Sequence, residues 1–236
     1  MCIRDRPILF EKSESLGGQF LLAGAISAKK DFKNAVNKMI LDVQESGIEV
    51  HLNTVVTKEM LEEIKPDALI VAIGSSPFVL PIEGSERAIV AHDVLSEKVE
   101  VPGENVVIIG GGLVGFETAE FLASRQKKVT VLEMKEKALQ DLGPLRQITA
   151  QFAMAQMPIT IETSAIVERI EDHAVVASGK EYPYDSVIMA VGSKANDTSM
   201  YTDLGIPTYI VGDCKKAGVA LDAFKDAYHA VLEINK

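Results

Sequence analysis

The chain has 236 residues, 47% of them hydrophobic and 25% charged, so it carries enough apolar material for a core and is not a disordered segment. Its formal charge of −10 argues against nucleic acid and against anionic membrane surfaces as partners. Its two cysteines, Cys2 and Cys214, exclude a disulfide framework and a four-thiolate zinc site, and they suit a reducing cytoplasm.

In chain order, residues 8–11 form the first short apolar run and read as a strand buried on both faces. Residues 31–46 follow with Phe32, Val36, Met39, Ile40 and Val43 on one helical stripe, and Gly47 stands where a glycine would end that helix. Residues 68–72 and 106–109 are two more buried strands, 112–124 a second helix, and 129–133 a fourth strand. The longest apolar runs, such as 68–73, fall far short of the roughly 20 residues a membrane helix needs. The N-terminus has no signal-peptide core. Residues 144–156 read as a third helix. From 159 to 188 the pattern changes to short segments (159–161, 166–170, 174–177, 186–189) joined by polar turns, which reads as a small antiparallel meander returning to the main sheet. A strand at 209–211 and a helix at 221–234 close the chain. Strands alternating with helices predict an α/β fold with parallel sheets.

The sharpest local signal runs Val106-Val107-Ile108-Ile109-Gly110-Gly111-Gly112-Leu113-Val114-Gly115. Gly110, Gly112 and Gly115 fit GxGxxG between a buried strand and an amphipathic helix, and the next strand ends in Glu133, 23 residues after Gly110. Gly110 allows the tight turn, Gly112 lets the backbone approach a pyrophosphate, and Gly115 lets the helix pack close to the strand. Gly111, Leu113 and Val114 complete the loop, whose helix N-terminus offers N–H groups to phosphates. Glu133 can accept hydrogen bonds from the adenosine ribose and would repel a 2′-phosphate, so NADH is favoured over NADPH. Lys135, two residues on, keeps NADPH open.

A second acidic strand end stands at Glu11, followed by Leu16-Gly17-Gly18-Gln19. If Glu11 binds a second ribose, its glycine loop belongs about 20 residues upstream, and only ten residues precede it. Near the other end, Gly212-Asp213 follows a short apolar strand and precedes a helix, where an aspartate can accept a hydrogen bond from a ligand hydroxyl. The N-terminus of that helix can favour a reduced flavin or a phosphate.

Glu11 with Leu16-Gly17-Gly18-Gln19, Ala72-Ile73-Gly74-Ser75, the stretch 110–120, Val131-Leu132-Glu133-Met134, Ala190-Val191-Gly192 and Val211-Gly212-Asp213-Cys214 occur in that order. This set resembles the two-dinucleotide-fold flavoprotein reductases, and is most similar to the C-terminal half of the NADH:flavin oxidoreductases related to 2-enoate reductase and 2,4-dienoyl-CoA reductase. The resemblance implies two Rossmann-like domains, with an NAD(P) domain at 82–194 inserted into a partial FAD domain formed by 1–81 and 195–236. It implies that Gly110, Gly111, Gly112, Leu113, Val114, Gly115, Glu133 and Gly192 meet NAD. Glu11, Gln19, Ala72, Gly74, Gly212 and Asp213 would meet FAD, Asp213 at its ribityl or pyrophosphate part. Ala72-Ile73-Gly74 and Ala190-Val191-Gly192 would be the crossovers between the domains. Ile73 departs from the family's usual threonine, and 195–209 is short for the family. The family's N-terminal barrel with FMN, its iron–sulfur cluster and its first FAD glycine loop have no counterpart here. Residues 1–6 resemble no family segment, and the chain is expected to be a fragment.

The implied activity is hydride transfer from NADH to FAD and onward to a centre, outside this chain, that reduces an enoate- or enoyl-type C=C bond. Because the cofactors carry that chemistry, no catalytic side chain is expected. Two alternatives stay open: a stand-alone NADH-dependent reductase of ferredoxin or rubredoxin type, and a non-catalytic NAD-binding module. Residues 19–24 hold no cysteine pair, and neither do 85–105, so dithiol chemistry is disfavoured. Cys214 reads as a small core-edge residue. His51, His92, His173 and His229 show no metal spacing and read as structural or surface residues. Glu117 and Glu120 fall on the helix after the glycine loop, with Glu117 placed either toward the cofactors or on the helix surface. The sequence leaves the oligomeric state open, a homo-oligomer included.

Overall fold

The computed structural model describes residues 6–26, 29–140 and 142–234. In chain order the first elements are β1 (Ile8–Phe10), α1 (Gly18–Leu22), α2 (Lys30–Glu45), β2 (Glu49–His51), α3 (Lys58–Ile64), β3 (Leu69–Val71) and β4 (Ser75–Pro77). Then come β5 (Ile89–Val90), α4 (Ala91–Leu95), β6 (Asn105–Ile109), α5 (Leu113–Ala123), β7 (Lys128–Leu132), α6 (Pro144–Met154) and β8 (Ile159–Glu162). β9 (Val167–Ile170), β10 (Ala174–Ala177), β11 (Lys180–Pro183), β12 (Ser186–Met189), β13 (Ser193–Ala195), β14 (Thr208–Ile210) and α7 (Ala220–Ile234) complete the order. The chain divides into two compact units: Pro77–Ser193, and the residues before and after it.

The Pro77–Ser193 unit is built on a five-stranded sheet in the order β5-β12-β6-β7-β8. All four pairings are parallel, with Ile108 facing Val131 on one side and Ile188 on the other. The Val/Ile runs form strands because both faces are covered, and Val106 to Ile109 are each at most 2% exposed. Side chains alternate across a strand, so Val107 and Ile109 share one face. That face packs with Val187 and Met189 against Val175 and Ala177 of β10. β9, β10 and β11 form an antiparallel sheet with a register shift between Val176 and Ala177.

Two details differ from the sequence reading. Residues 159–162 do not open the meander; they form β8, the parallel edge strand beside β7, with Ile159 against Val129 and Glu162 against Leu132. The meander instead takes its third strand from Lys180–Pro183, an exposed segment with one half-buried side chain, Tyr182.

The other unit holds two separate parallel pairs, β1 with β2 and β14 with β3. β2 is an alternating Glu-Val-His segment that carries no apolar run. α2 is amphipathic: Val36 is 1% exposed, whereas Asp31, Lys33 and Asn34 face solvent. Ser46 caps it and Gly47 follows at φ 74°, the left-handed turn expected at a helix end. A small core gathers Leu61, Val71, Tyr201 and Cys214. The chain after β14 makes a single 3₁₀ turn, Gly212–Cys214, and α7 begins only at Ala220. Asp213 therefore sits in a tight turn after β14 and ahead of the long helix, in the order the sequence reading has it.

Candidate functional site

In the Pro77–Ser193 unit the glycine loop leaves β6 at Gly110. Its N–H donates to the Leu132 carbonyl at 2.8 Å, and its φ is 110°. A Cβ at Gly110 would overlap the Ala190 carbonyl, because the end of β12 runs alongside the turn. Gly115 is required for a second close approach: a Cβ there would overlap the Gly110 carbonyl oxygen, so the first turn of α5 could not pack against the loop.

Gly112 is different. Its backbone is extended (φ −81°, ψ −174°), which any residue adopts, and a Cβ there would meet nothing within 4 Å. Nothing in the protein itself requires glycine at 112. The space a side chain would fill lies before the N-terminus of α5, where Gly112 provides no side-chain cap. The first helical hydrogen bond is Phe116 N–H to the Gly112 carbonyl, so the N–H groups of Leu113, Val114 and Gly115 precede any intrahelical acceptor. Open space, extended backbone and a helix N-terminus fit a pyrophosphate.

Glu133 lies at the end of β7 and is 7% exposed. Its Oε2 accepts the Gly111 N–H at 2.7 Å and its Oε1 accepts the Lys135 N–H at 2.8 Å. A carboxylate oxygen has two lone pairs, so each keeps one for a further donor such as a ribose hydroxyl. Glu133 is thus part of the loop's scaffold as well as a ligand candidate, a role the sequence spacing did not reveal. Gly192 follows β12 at φ 99°, is exposed, and its carbonyl accepts the Phe78 N–H at 2.9 Å. Glu117 is buried on α5, not on the helix surface.

In the other unit, Glu11 ends β1 and its Oε1 accepts the Ser13 N–H at 2.8 Å. Gln19 of α1, Ser75 at the start of β4 and Asp213 in the 3₁₀ turn after β14 come together. The Gln19 Nε2 donates to the Ser75 carbonyl at 2.7 Å and to its Oγ at 3.1 Å, and the Ser75 Oγ donates to Asp213 Oδ2 at 3.0 Å. Asp213 Oδ1 accepts the Gly218 N–H at 3.2 Å. Ala72 is exposed, and Gly74 turns at φ 69° with its carbonyl accepting the Asn196 N–H. Asn196 Nδ2 also donates to the Ile73 carbonyl at 2.7 Å. Gly212 adopts φ 66°, and its N–H donates to Asp226 Oδ2. Asn196 clamps this turn from more than 120 positions away, and no local pattern marks it.

Cys214 is buried, its thiol within 3.2 Å of the Val71 and Val211 carbonyls, and Cys2 lies outside the described residues. His51 pairs with Glu49 at 2.9 Å and stacks on Phe10. Among the described residues, no group of His, Cys, Asp or Glu could hold a metal ion, and no helix is long and apolar enough to cross a membrane.

A glycine loop of this build, an acid at the end of the next strand and a Gly-Asp turn in the flanking unit define a nucleotide-binding flavoprotein fold. The profile of the pyridine nucleotide-disulphide oxidoreductases matches residues 6–217, and the chain belongs to that family, whose members bind FAD and NAD(P)H. It is 32% identical to an NADH oxidase of Thermoanaerobacter brockii, a match covering 96% of this chain and 37% of that one. It is 33% identical to a cinnamate reductase of Clostridium sporogenes, covering 96% and 35%. Among solved structures, 2-naphthoyl-CoA reductase in complex with 2-naphthoyl-CoA superposes with a TM-score of 0.88 at 29% identity, covering 96% of this chain and 36% of that one. The chain therefore spans little more than a third of the length of these relatives.

Proposed function

We propose that the chain is the nucleotide-handling part of an NADH-dependent flavoprotein reductase. In this reading the Pro77–Ser193 unit binds NADH, and the flanking unit is part of an FAD domain. When bound, the two cofactors supply hydride transfer from nicotinamide C4 to flavin N5. Electrons would then pass to a centre outside this chain that reduces an activated C=C bond, in keeping with the names of the cinnamate and 2-naphthoyl-CoA reductases. FMN and an iron–sulfur cluster belong to that outer part.

The observation that carries the reading is the pairing of Gly112 with Glu133. Gly112 leaves space that the fold does not need, in front of free helix N–H groups. Glu133, 7% exposed, presents one remaining lone pair on each carboxylate oxygen beside it. The protein's own work is to seat the pyrophosphate, to hold the ribose through Glu133 and to disfavour a 2′-phosphate by charge. Asp213 is an acceptor, so it suits a polyol hydroxyl of FAD better than a pyrophosphate oxygen.

Replacing Glu133 with Ala should weaken NADH binding by about tenfold or more, with NADH binding measured by fluorescence. An unchanged dissociation constant would remove Glu133 from the site. Incubation of the chain with FAD, desalting and a visible spectrum give the second check. A retained flavin band bleached by NADH means that the FAD site works in this chain, whereas NADH binding without retained flavin means that the chain supplies the NAD half of a larger reductase.

A further inference from the structure

We infer that Ser75 is a positioning residue for the flavin, acting through Asp213; this rests on the reading of the Gly-Asp turn as part of an FAD site. Ser75 is 8% exposed and lies 138 positions from Asp213 in sequence. A hydroxyl has one proton. Gln19 Nε2 has no lone pair to offer and donates to the Ser75 oxygen, so the Ser75 proton is directed to Asp213 Oδ2. The chain of donors therefore runs one way, from the Gln19 amide through the Ser75 hydroxyl to the Asp213 carboxylate. The Gly218 N–H holds the other oxygen at 3.2 Å. With both oxygens held, the carboxylate plane is fixed and its remaining lone pairs point in set directions.

The backbone that carries Ser75 is itself held. Asn196 donates from Nδ2 to the Ile73 carbonyl and from its N–H to the Gly74 carbonyl, and it accepts from the Ser76 Oγ at 2.6 Å. Ser75 thus offers its hydroxyl from a backbone tied by hydrogen bonds, and Asp213, in a 3₁₀ turn that residues 215–219 separate from α7, takes its orientation from it.

The test uses the full chain and two readouts. The first is a double-mutant cycle on FAD affinity, followed by flavin fluorescence. Ser75→Ala should weaken FAD about tenfold, the scale of a lost hydrogen bond to a charged group. In an Asp213→Ala background the same change should have almost no further effect, because the group it orients is gone. Ser75→Thr, which keeps the hydroxyl, should restore most of the affinity. The second readout needs no flavin: amide hydrogen exchange at Gly218 should quicken several-fold in Ser75→Ala, since a freed carboxylate no longer holds that N–H. Equal losses from Ser75→Ala in both backgrounds, or an unchanged Gly218 exchange rate, would overturn the assignment. If the unaltered chain binds no FAD while Gly218 exchange responds to Ser75→Ala, the flavin reading falls and the Ser75–Asp213 link stands.

Discussion

β6 reads Asn-Val-Val-Ile-Ile and buries four of its five residues; β1 reads Ile-Leu-Phe and buries none of its three fully. The two runs look alike as sequence. They differ in neighbours. β6 lies between β12 and β7 under the β9–β11 sheet, whereas β1 pairs with β2 alone among the described strands, and β3 with β14 alone. Ile70 of β3 is accordingly 41% exposed, while Ile108 of β6 is 0%. An apolar run specifies a strand; full burial depends on a partner at each edge and a layer on each face.

The largest effect expected from this contrast is on stability. Ile108→Ala should cost about 2–5 kcal/mol, as a cavity at a fully buried site, and Ile70→Ala less than about 1 kcal/mol. Urea denaturation of the full chain, followed by circular dichroism, measures both. Similar losses would break the comparison.

A second contrast lies within the glycine loop. Gly115→Ala should destabilise by about 1–3 kcal/mol, because its Cβ overlaps the Gly110 carbonyl and the backbone has to move. Gly112→Ala should leave stability within about 0.5 kcal/mol and yet weaken NADH at least about tenfold. Calorimetric titration with NADH alongside thermal melts separates the two. A Gly112→Ala variant that binds NADH normally would mean the space at 112 is not used.

The smallest effect concerns acid. Asp185 Oδ2 accepts the Asn105 and Glu104 N–H groups at the start of β6, and these bonds hold its carboxyl below the usual range. A lowered folded value means that its contribution is present above its ordinary value of 3.8 and is lost as pH falls through the lowered one. Asp185→Asn should therefore flatten the acid limb of the melting temperature against pH. An unaltered limb would show that the N–H groups at Glu104 and Asn105 do not depend on the charge.

The parallel strands at 106–109 and 129–132 were legible because an uninterrupted Val/Ile run has few other solutions. The glycine loop was legible because three glycines and one acid sit at fixed spacing. Residues 159–162 misled because Ile-Thr-Ile-Glu alternates like a half-buried antiparallel strand, while its true partner, β7, lies some thirty positions upstream. β2 leaves no sequence signal because Glu-Val-His carries one apolar residue; it is placed by parallel pairing with β1 and by the stacking of His51 on Phe10. Ser75 was visible as the end of Ala72-Ile73-Gly74-Ser75, but its bond to Asp213 spans 138 positions and leaves no local mark.

Glu133 and Gly111 are matched in size as well as in hydrogen bonding. A Cβ at 111 would stand 2.8 Å from the Glu133 Cβ, and the Gly111 carbonyl in turn accepts the Leu139 N–H. Acid, glycine and the turn at 139 are one mechanical linkage. Redesign toward a phosphorylated nucleotide therefore has a structural cost beyond charge: whatever replaces Glu133 must supply new acceptors for the N–H groups of Gly111 and Lys135, or the cradle loses its shape along with its preference.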